Sequence, residues 1–381
     1  GTGILILLGK AEALLGKIPS YLSEYVVGLQ QGLFGGYPTT KDIAPSALFL
    51  AIFIVFFFAH LFVFIKNYTR GHKFWISLGL AGYALMRWIG FAMRVRWSKN
   101  ITLVKLGIAS EVFLILPTIL LNTLNLIMAQ RIFTWRHPVG GASKLFWNLM
   151  LTVYALVIAI ILMTIVASVV PYVYLLSAKH YEMCRNVVKV SDIFVLLYAL
   201  LSTSLIALAY VFKPTQNDKN CATYQPWWIK SFSPFYYVEK NAAQEAEQSF
   251  LKRPSSQRHA IRVIASTDSH LENHVEGVST DRGSLKHNHS IVLITITTLI
   301  IFLGAILRAI TSFDEKTAAE GTNIYKPFVM YIMWGGLETV VNILYLIGRV
   351  DLRFYRPDVL PKEVRAIVTA NQSPYESDSE E

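Results

Sequence analysis

The sequence predicts an all-α, polytopic membrane protein, a bundle of seven transmembrane helices with its N-terminus outside and its C-terminus in the cytosol. Three observations predict it. Hydrophobic residues make up 54% of the 381-residue chain and charged residues only 16%, against roughly 25% charged in a soluble domain. The apolar residues are gathered into blocks that meet the ~20-residue requirement of a membrane-spanning helix. The basic residues lie in short clusters between those blocks, shared unequally between alternate loops.

The blocks place the spans at 44–65, 74–93, 103–129, 145–170, 190–211, 291–311 and 328–347. The second is the least apolar, because Arg87 sits inside it. Segments 66–73, 131–144, 213–289 and 349–381 hold most of the 35 basic residues, which assigns them to the cytosol under the positive-inside rule. Glycan at Asn100-Ile101-Thr102 supports that orientation, and glycan at Asn67-Tyr68-Thr69 overturns it. A net charge of +10 does not point to nucleic acid here, since the basic residues form no single patch. Cys184 and Cys221 are too few for a disulfide scaffold or a Cys-rich zinc site, and this topology puts them on opposite sides.

The chain divides into an outer segment 1–43, a membrane domain 44–350 and a cytosolic tail 351–381. Within 1–43, Lys10, Lys17 and Glu24 stand among apolar residues. A tail lying on the headgroups is preferred to a re-entrant segment, and Ile4–Leu8 is too short an apolar core for a signal peptide. The loop 213–289 opens with aromatics, of which Trp227, Trp228, Tyr236 and Tyr237 suit the headgroup zone. From Gln244 it is polar and reads as disordered. His270 and His274 stand four apart, but with no Cys partner or strong helix signal they read as solvated loop. The tail ends in an acidic run bearing Ser377 and Ser379, read as solvated, with phosphorylation the sharper alternative.

Ionisable and amide side chains inside the spans are the candidate functional residues, because an unpaired charge in a bilayer is costly. Arg87 and Glu111 both lie roughly 9–12 Å below the outer ends of the second and third spans at 1.5 Å per residue, so they form a natural pair. Asn122 and Asn125 fall within about 20° and 40° of the Glu111 direction at 100° per residue, which makes one polar stripe past Pro117. That stripe lines a ligand path or joins helices by amide hydrogen bonds. In the seventh span Glu338 and Asn342 share a face just after Gly335-Gly336, near the midplane. Arg308 on the sixth is the nearest cationic candidate for Glu338, though shallower. Without a full partner Glu338 would face water or be protonated, which makes it the leading functional carboxylate.

The segments MRWIGFAMR, ILPTILLNTLNLIMAQRIF, LRAIT and GGLETVVNILYLIGRVD resemble the fungal seven-helix lipid-translocating exporters named for aminocholesterol resistance. YPTTKDIAPSALFLAIF and RGHKFW are more similar still to a related fungal membrane family of unknown function. The resemblance covers about 37–357 apart from most of the long loop. Glu338 matches the exporters' seventh-helix Glu, Arg308 their sixth-helix Arg, and Arg94 their later second-helix Arg. Where the exporters carry a glutamate before the Ile-Gly pair, Arg87 and Trp88 precede Ile89-Gly90, so one intramembrane charge is reversed. The resemblance implies movement or sensing of an amphipathic lipid, sterol or drug-like molecule, with membrane lipids as partners.

On that basis the chain is expected to be a non-enzymatic lipid-handling protein of the plasma membrane or another membrane of the secretory or vacuolar system. No cofactor and no metal is implied. No GxxxxGK[ST] motif is present to couple ATP. A seven-helix receptor signalling through 213–289 is the alternative, although the third span ends in Ala129-Gln130-Arg131 rather than an acidic-Arg-aromatic triplet. A light-driven pump would need a lysine inside the seventh span, and Lys326 stands before it. A seven-helix metallohydrolase would need converging histidines, and His60 is the one histidine inside a span.

Overall fold

A computed structural model describes residues 2–16, 18–71, 73–141, 143–215, 237, 288–314 and 316–354. Cys221, Trp227, Trp228, Tyr236, His270, His274, Ser377 and Ser379 lie outside the described residues.

Two short helices come first, α1 (Ile4–Leu15) and α2 (Ser20–Gly28). Seven long helices follow: α3 (Ile43–Tyr68), α4 (Trp75–Lys99), α5 (Val104–Arg136), α6 (Lys144–Val173), α7 (Ala178–Val211), α8 (Asn288–Asp314) and α9 (Pro327–Ile347). All seven are long and apolar enough to cross a membrane. At 1.5 Å per residue even α9 extends about 30 Å, the thickness of a bilayer's hydrocarbon core. The chain is thus an all-α seven-helix membrane bundle.

Local chemistry sets the helix starts. Ser143 and Ser177 cap α6 and α7 by accepting from the backbone N–H of Phe146 and His180. Thr39 and Asp42 form a reciprocal capping box ahead of α3, which satisfies donors that a helix start leaves open.

Helix α5 is the centre of the bundle. In its most apolar stretch 61% of residues are buried, against 17% for α3 and α6, which therefore present most of their surface to lipid. Helices α3, α4 and α9 meet through a stack of rings, Phe49, Phe53, Phe91 and Tyr331, with neighbouring centroids 5.8–6.3 Å apart. Gly335 makes that approach possible, because a Cβ there would lie 2.5 Å from the Phe49 ring.

Helix α9 is not α-helical throughout. Residues Tyr331–Leu337 form a π-helical stretch between the α-helical turn Pro327–Met330 and the segment Glu338–Ile347. Such stretches are rare and gather at functional sites. This one carries Tyr331 and Trp334 inward and ends at Glu338.

The N-terminal segment is docked onto the bundle. Gly3 N–H donates to Pro171 O at 2.7 Å, and Leu176 N–H to Thr2 Oγ1 at 3.2 Å. Further on, Gln31 pairs antiparallel with Thr317, flanked by Gly32 N–H to Lys316 O (2.9 Å) and Ala318 N–H to Gln30 O (2.8 Å). Phe34 then inserts into the core, only 4% exposed, edge-on to Trp334. Residues 2–37 therefore close one end of the bundle.

Candidate functional site

Among the described residues, buried polar groups gather in layers along the bundle. The middle layer is built on Arg87 and Glu338, with neither side chain more than 3% exposed. Arg87 Nε donates to Glu338 Oε2 at 2.8 Å, and Nη2 pairs with Oε1. Its Nη1 donates to Leu114 O and Nη2 also reaches Thr118 Oγ1 at 3.1 Å, which accounts for four of the five donors of a guanidinium. The Trp334 ring packs on the guanidinium, 5.0 Å from its centroid. Tyr83 OH donates to Glu338 Oε2. Asn342 Nδ2 donates to Glu338 O at 2.7 Å, and its Oδ1 accepts from His60 Nε2 at 3.1 Å. Helices α3, α4, α5 and α9 are joined by this one network, and Glu338 has the full partner that its burial demands.

The layer beneath the N-terminal segment is organised by Arg94, also fully buried. It meets Glu111 at 3.1 Å and Asp42 at 3.9 Å. Its Nη2 donates to the carbonyls of Gly35 (2.7 Å) and Gly36 (3.0 Å). Both glycines have positive φ, 88° and 62°, a conformation L side chains rarely adopt, and this lets two successive carbonyls face one guanidinium. Tyr331 OH bonds Ser46 Oγ at 2.6 Å and donates to Asp42 Oδ1 at 3.1 Å. The N-terminal segment is thereby tied to α3, α4, α5 and α9.

At the opposite end Asn67 Nδ2 donates to Asp351 (2.8 Å), which also pairs with Arg349 (2.7 Å). Asn67 is wholly buried, so it is a poor glycan acceptor in the folded chain, whereas Asn100 is exposed. Only the second acceptor reports on orientation.

Two expected pairings are corrected. Arg87 does not meet Glu111, and Arg308 does not meet Glu338. Helix α4 continues to Lys99, beyond the expected end at 93, so Arg87 lies about 18 Å from that end while Arg94 lies about 8 Å from it. Glu111, about 10 Å inside the start of α5, is thus level with Arg94. Arg308 pairs instead with Asp192 on α7 at 2.9 Å. Helix α7 begins at Ala178, well before the expected 190, which puts Asp192 deep inside the helix.

The expected polar stripe on α5 divides. Asn125 is a helix joint: Nδ2 donates to Thr297 and Thr298 at 3.2 Å, and Oδ1 accepts from Tyr345 OH at 2.6 Å. Asn122 is buried with no hydrogen-bond partner for either amide atom. Glu111 and Arg308, by contrast, face a common cavity.

That cavity, about 150 Å³, lies under the N-terminal segment. Its roof is Gln30–Phe34 and Tyr37; its walls come from α4 to α9 and include Trp97, Ile108, Val112, Tyr172, Tyr181 and Trp334. The walls are mostly apolar, with Glu111, Arg185 and Arg308 as the charged groups. Tyr37 and Tyr172 both line the cavity. Burial, reinforced by Tyr172 and Glu111, pushes the Tyr37 phenol well above its ordinary range, so it remains a neutral hydrogen-bonding group. The residues that sequence reasoning did not single out include Tyr83, Asp42, Tyr331, Tyr37, Tyr172, Arg185 and Asp192. Asp192 carried a signal, a carboxylate inside a span; the tyrosines carried none.

The fold and the site define an integral membrane protein of seven helices whose interior cavity is roofed by its own N-terminal segment. A family model described as a protein of unknown function (DUF3112) matches residues 138–355, and the chain belongs to that family. The match contains Asp192, Arg308, Glu338 and Asn342, while Arg87, Arg94 and Glu111 precede it. No curated protein and no solved structure matches the chain.

Proposed function

We propose that this protein takes the polar head of an amphipathic lipid, sterol or drug-like molecule into the cavity beneath its N-terminal segment and moves the molecule across or out of the membrane, without making or breaking covalent bonds. The cavity carries the proposal: a mostly apolar, aromatic-lined space with Glu111, Arg185 and Arg308 among its walls suits a ligand with one charged end. The resemblance of the second, third, sixth and seventh spans to lipid exporters supports the same reading. The charge bias of the loops puts the roofed end outside.

The test is flux of a fluorescent lipid in proteoliposomes. Val112→Trp and Ile108→Trp fill the cavity while leaving the Arg87–Glu338 network untouched. Flux that falls at least tenfold in both supports the proposal. Flux equal to that of the unmutated chain overturns it. Ligand binding without flux in the unmutated chain moves the reading to a sensor or receptor.

A further inference from the structure

We infer that the cavity takes a zwitterionic group, with Arg308 holding the anionic end and Glu111 the ammonium end. The inference rests on the reading of the cavity as a ligand site. It adds the chemistry of the group that enters.

Each charged side chain is held from behind by a buried partner and keeps part of its surface toward the cavity. Glu111 is oriented by Arg94 (3.1 Å) and Arg308 by Asp192 (2.9 Å); Glu111 and Arg308 each remain 13% exposed at the side chain, whereas Arg94 and Asp192 are 0% and 2%. The partners are spent on orientation and the lining groups are left to meet a ligand. Glu111 and Arg308 line the same small cavity, so it offers charges of opposite sign to one occupant, a pattern complementary to a zwitterion.

The aromatic lining agrees with this division. Tyr37, Tyr172 and Trp97 line the same space as Glu111. A carboxylate beside aromatic faces is a favourable setting for an ammonium group. Arg185, its guanidinium over the Tyr181 ring at 5.6 Å, adds a second cation to the lining. Guanidinium groups suit phosphate or carboxylate oxygens.

Size limits the ligand further. An engineered cavity of about 150 Å³ holds benzene, so this one accommodates a head of about six to ten non-hydrogen atoms and not a whole lipid. A phosphorylethanolamine-sized head fits that range, as does a free α-amino acid.

The probes are phosphorylethanolamine and its two halves, methyl phosphate and ethylammonium, titrated into the full chain in phosphatidylglycerol nanodiscs and followed by ligand-observed NMR. The expected result is binding of the zwitterion at least tenfold tighter than either half. Glu111→Gln should bring its affinity to that of methyl phosphate, and Arg308→Gln to that of ethylammonium. Equal affinity for the zwitterion and a half overturns the inference, as does unchanged affinity in both variants. The comparison of halves uses the unmutated chain, so it decides even where a variant fails to fold. A neutral benzene-sized probe that binds while the zwitterion does not overturns the charge assignment and leaves the ligand cavity standing; no binding by any probe overturns both. Displacement of the bound head by lysophosphatidylethanolamine assigns the zwitterion to a lipid, and displacement by alanine alone assigns it to a solute.

Discussion

Replacing Glu338 by Gln should destabilise the bundle by about 3–5 kcal/mol, the usual consequence of removing one member of a buried ion pair. The magnitude follows from what is left behind. Arg87 is wholly buried and gives Nε and Nη2 to the two carboxylate oxygens. An amide offers one acceptor oxygen and no charge, so one charge-assisted hydrogen bond is lost and the other weakened, each worth roughly 1.5–3 kcal/mol. Leu114 O and Thr118 Oγ1 still accept from the guanidinium, but neither supplies a counter-charge. The double variant Arg87→Met with Glu338→Met removes both charges and should lie within about 1 kcal/mol of the parent or be more stable. Unfolding by SDS titration in mixed micelles measures the parent, Glu338→Gln, the single variants Arg87→Met and Glu338→Met, and the double variant. A Glu338→Gln variant within about 1 kcal/mol of the parent, or a double variant no better than the worse single one, would mean that the pair does not hold the bundle together in this way. The double variant also separates roles. If the pair is a structural clamp, lipid flux survives its replacement; if Glu338 handles the ligand, flux is lost while the fold persists.

Three further outcomes are expected. Gly335→Leu drives a side chain into the Phe49 ring and should cost at least the ~1–3 kcal/mol typical of overpacking, with partial rescue by Phe49→Ala in the same SDS titration. Asn122→Leu removes a buried amide without hydrogen-bond partners and should be neutral or stabilising by about 1 kcal/mol; a loss of more than 2 kcal/mol would point to a bridging water as its partner. Gln31→Cys with Thr317→Cys, on a chain with Cys184 and Cys221 changed to Ser, should form a disulfide on mild oxidation. The antiparallel bridge between these positions places the Cα atoms about 4.5–5.5 Å apart, and failure to crosslink would mean the roof is not docked as described.

The spans were legible because each apolar block falls almost wholly within its helix; only the ends moved, by twelve residues at the start of α7. Those ends decided the pairings. Drawing the second span to 93 made Arg87 the match for Glu111, and a helix running to Lys99 transfers that match to Arg94. Starting the fifth span at 190 left Asp192 at its mouth, and a helix from Ala178 makes it the partner of Arg308. Arg87 and Glu338 were both recognisable as charges that need a partner. Their union was not, because it depends on α4 lying beside α9, and helix adjacency across a bundle leaves no periodic trace in one chain. The roof was illegible for a related reason. Its contacts with Lys316, Thr317 and Arg94 run mainly through backbone carbonyls and N–H groups, which any residue supplies. The two glycines at 35 and 36 were its one local signal, and only the geometry shows that they turn toward Arg94.

If the roofed cavity is where the ligand sits, a ligand bound there is within covalent reach of the cavity wall. Photolabelling with a lipid bearing a diazirine close to its head tests this most directly, with the labelled peptides of the reconstituted chain mapped by mass spectrometry. Labels are expected on cavity-lining positions such as Ile108, Val112 and Tyr172, reduced by excess unlabelled lipid and by Val112→Trp. Labels confined to lipid-facing positions such as Leu156 and Ile158 on α6, insensitive to competitor, would contradict it.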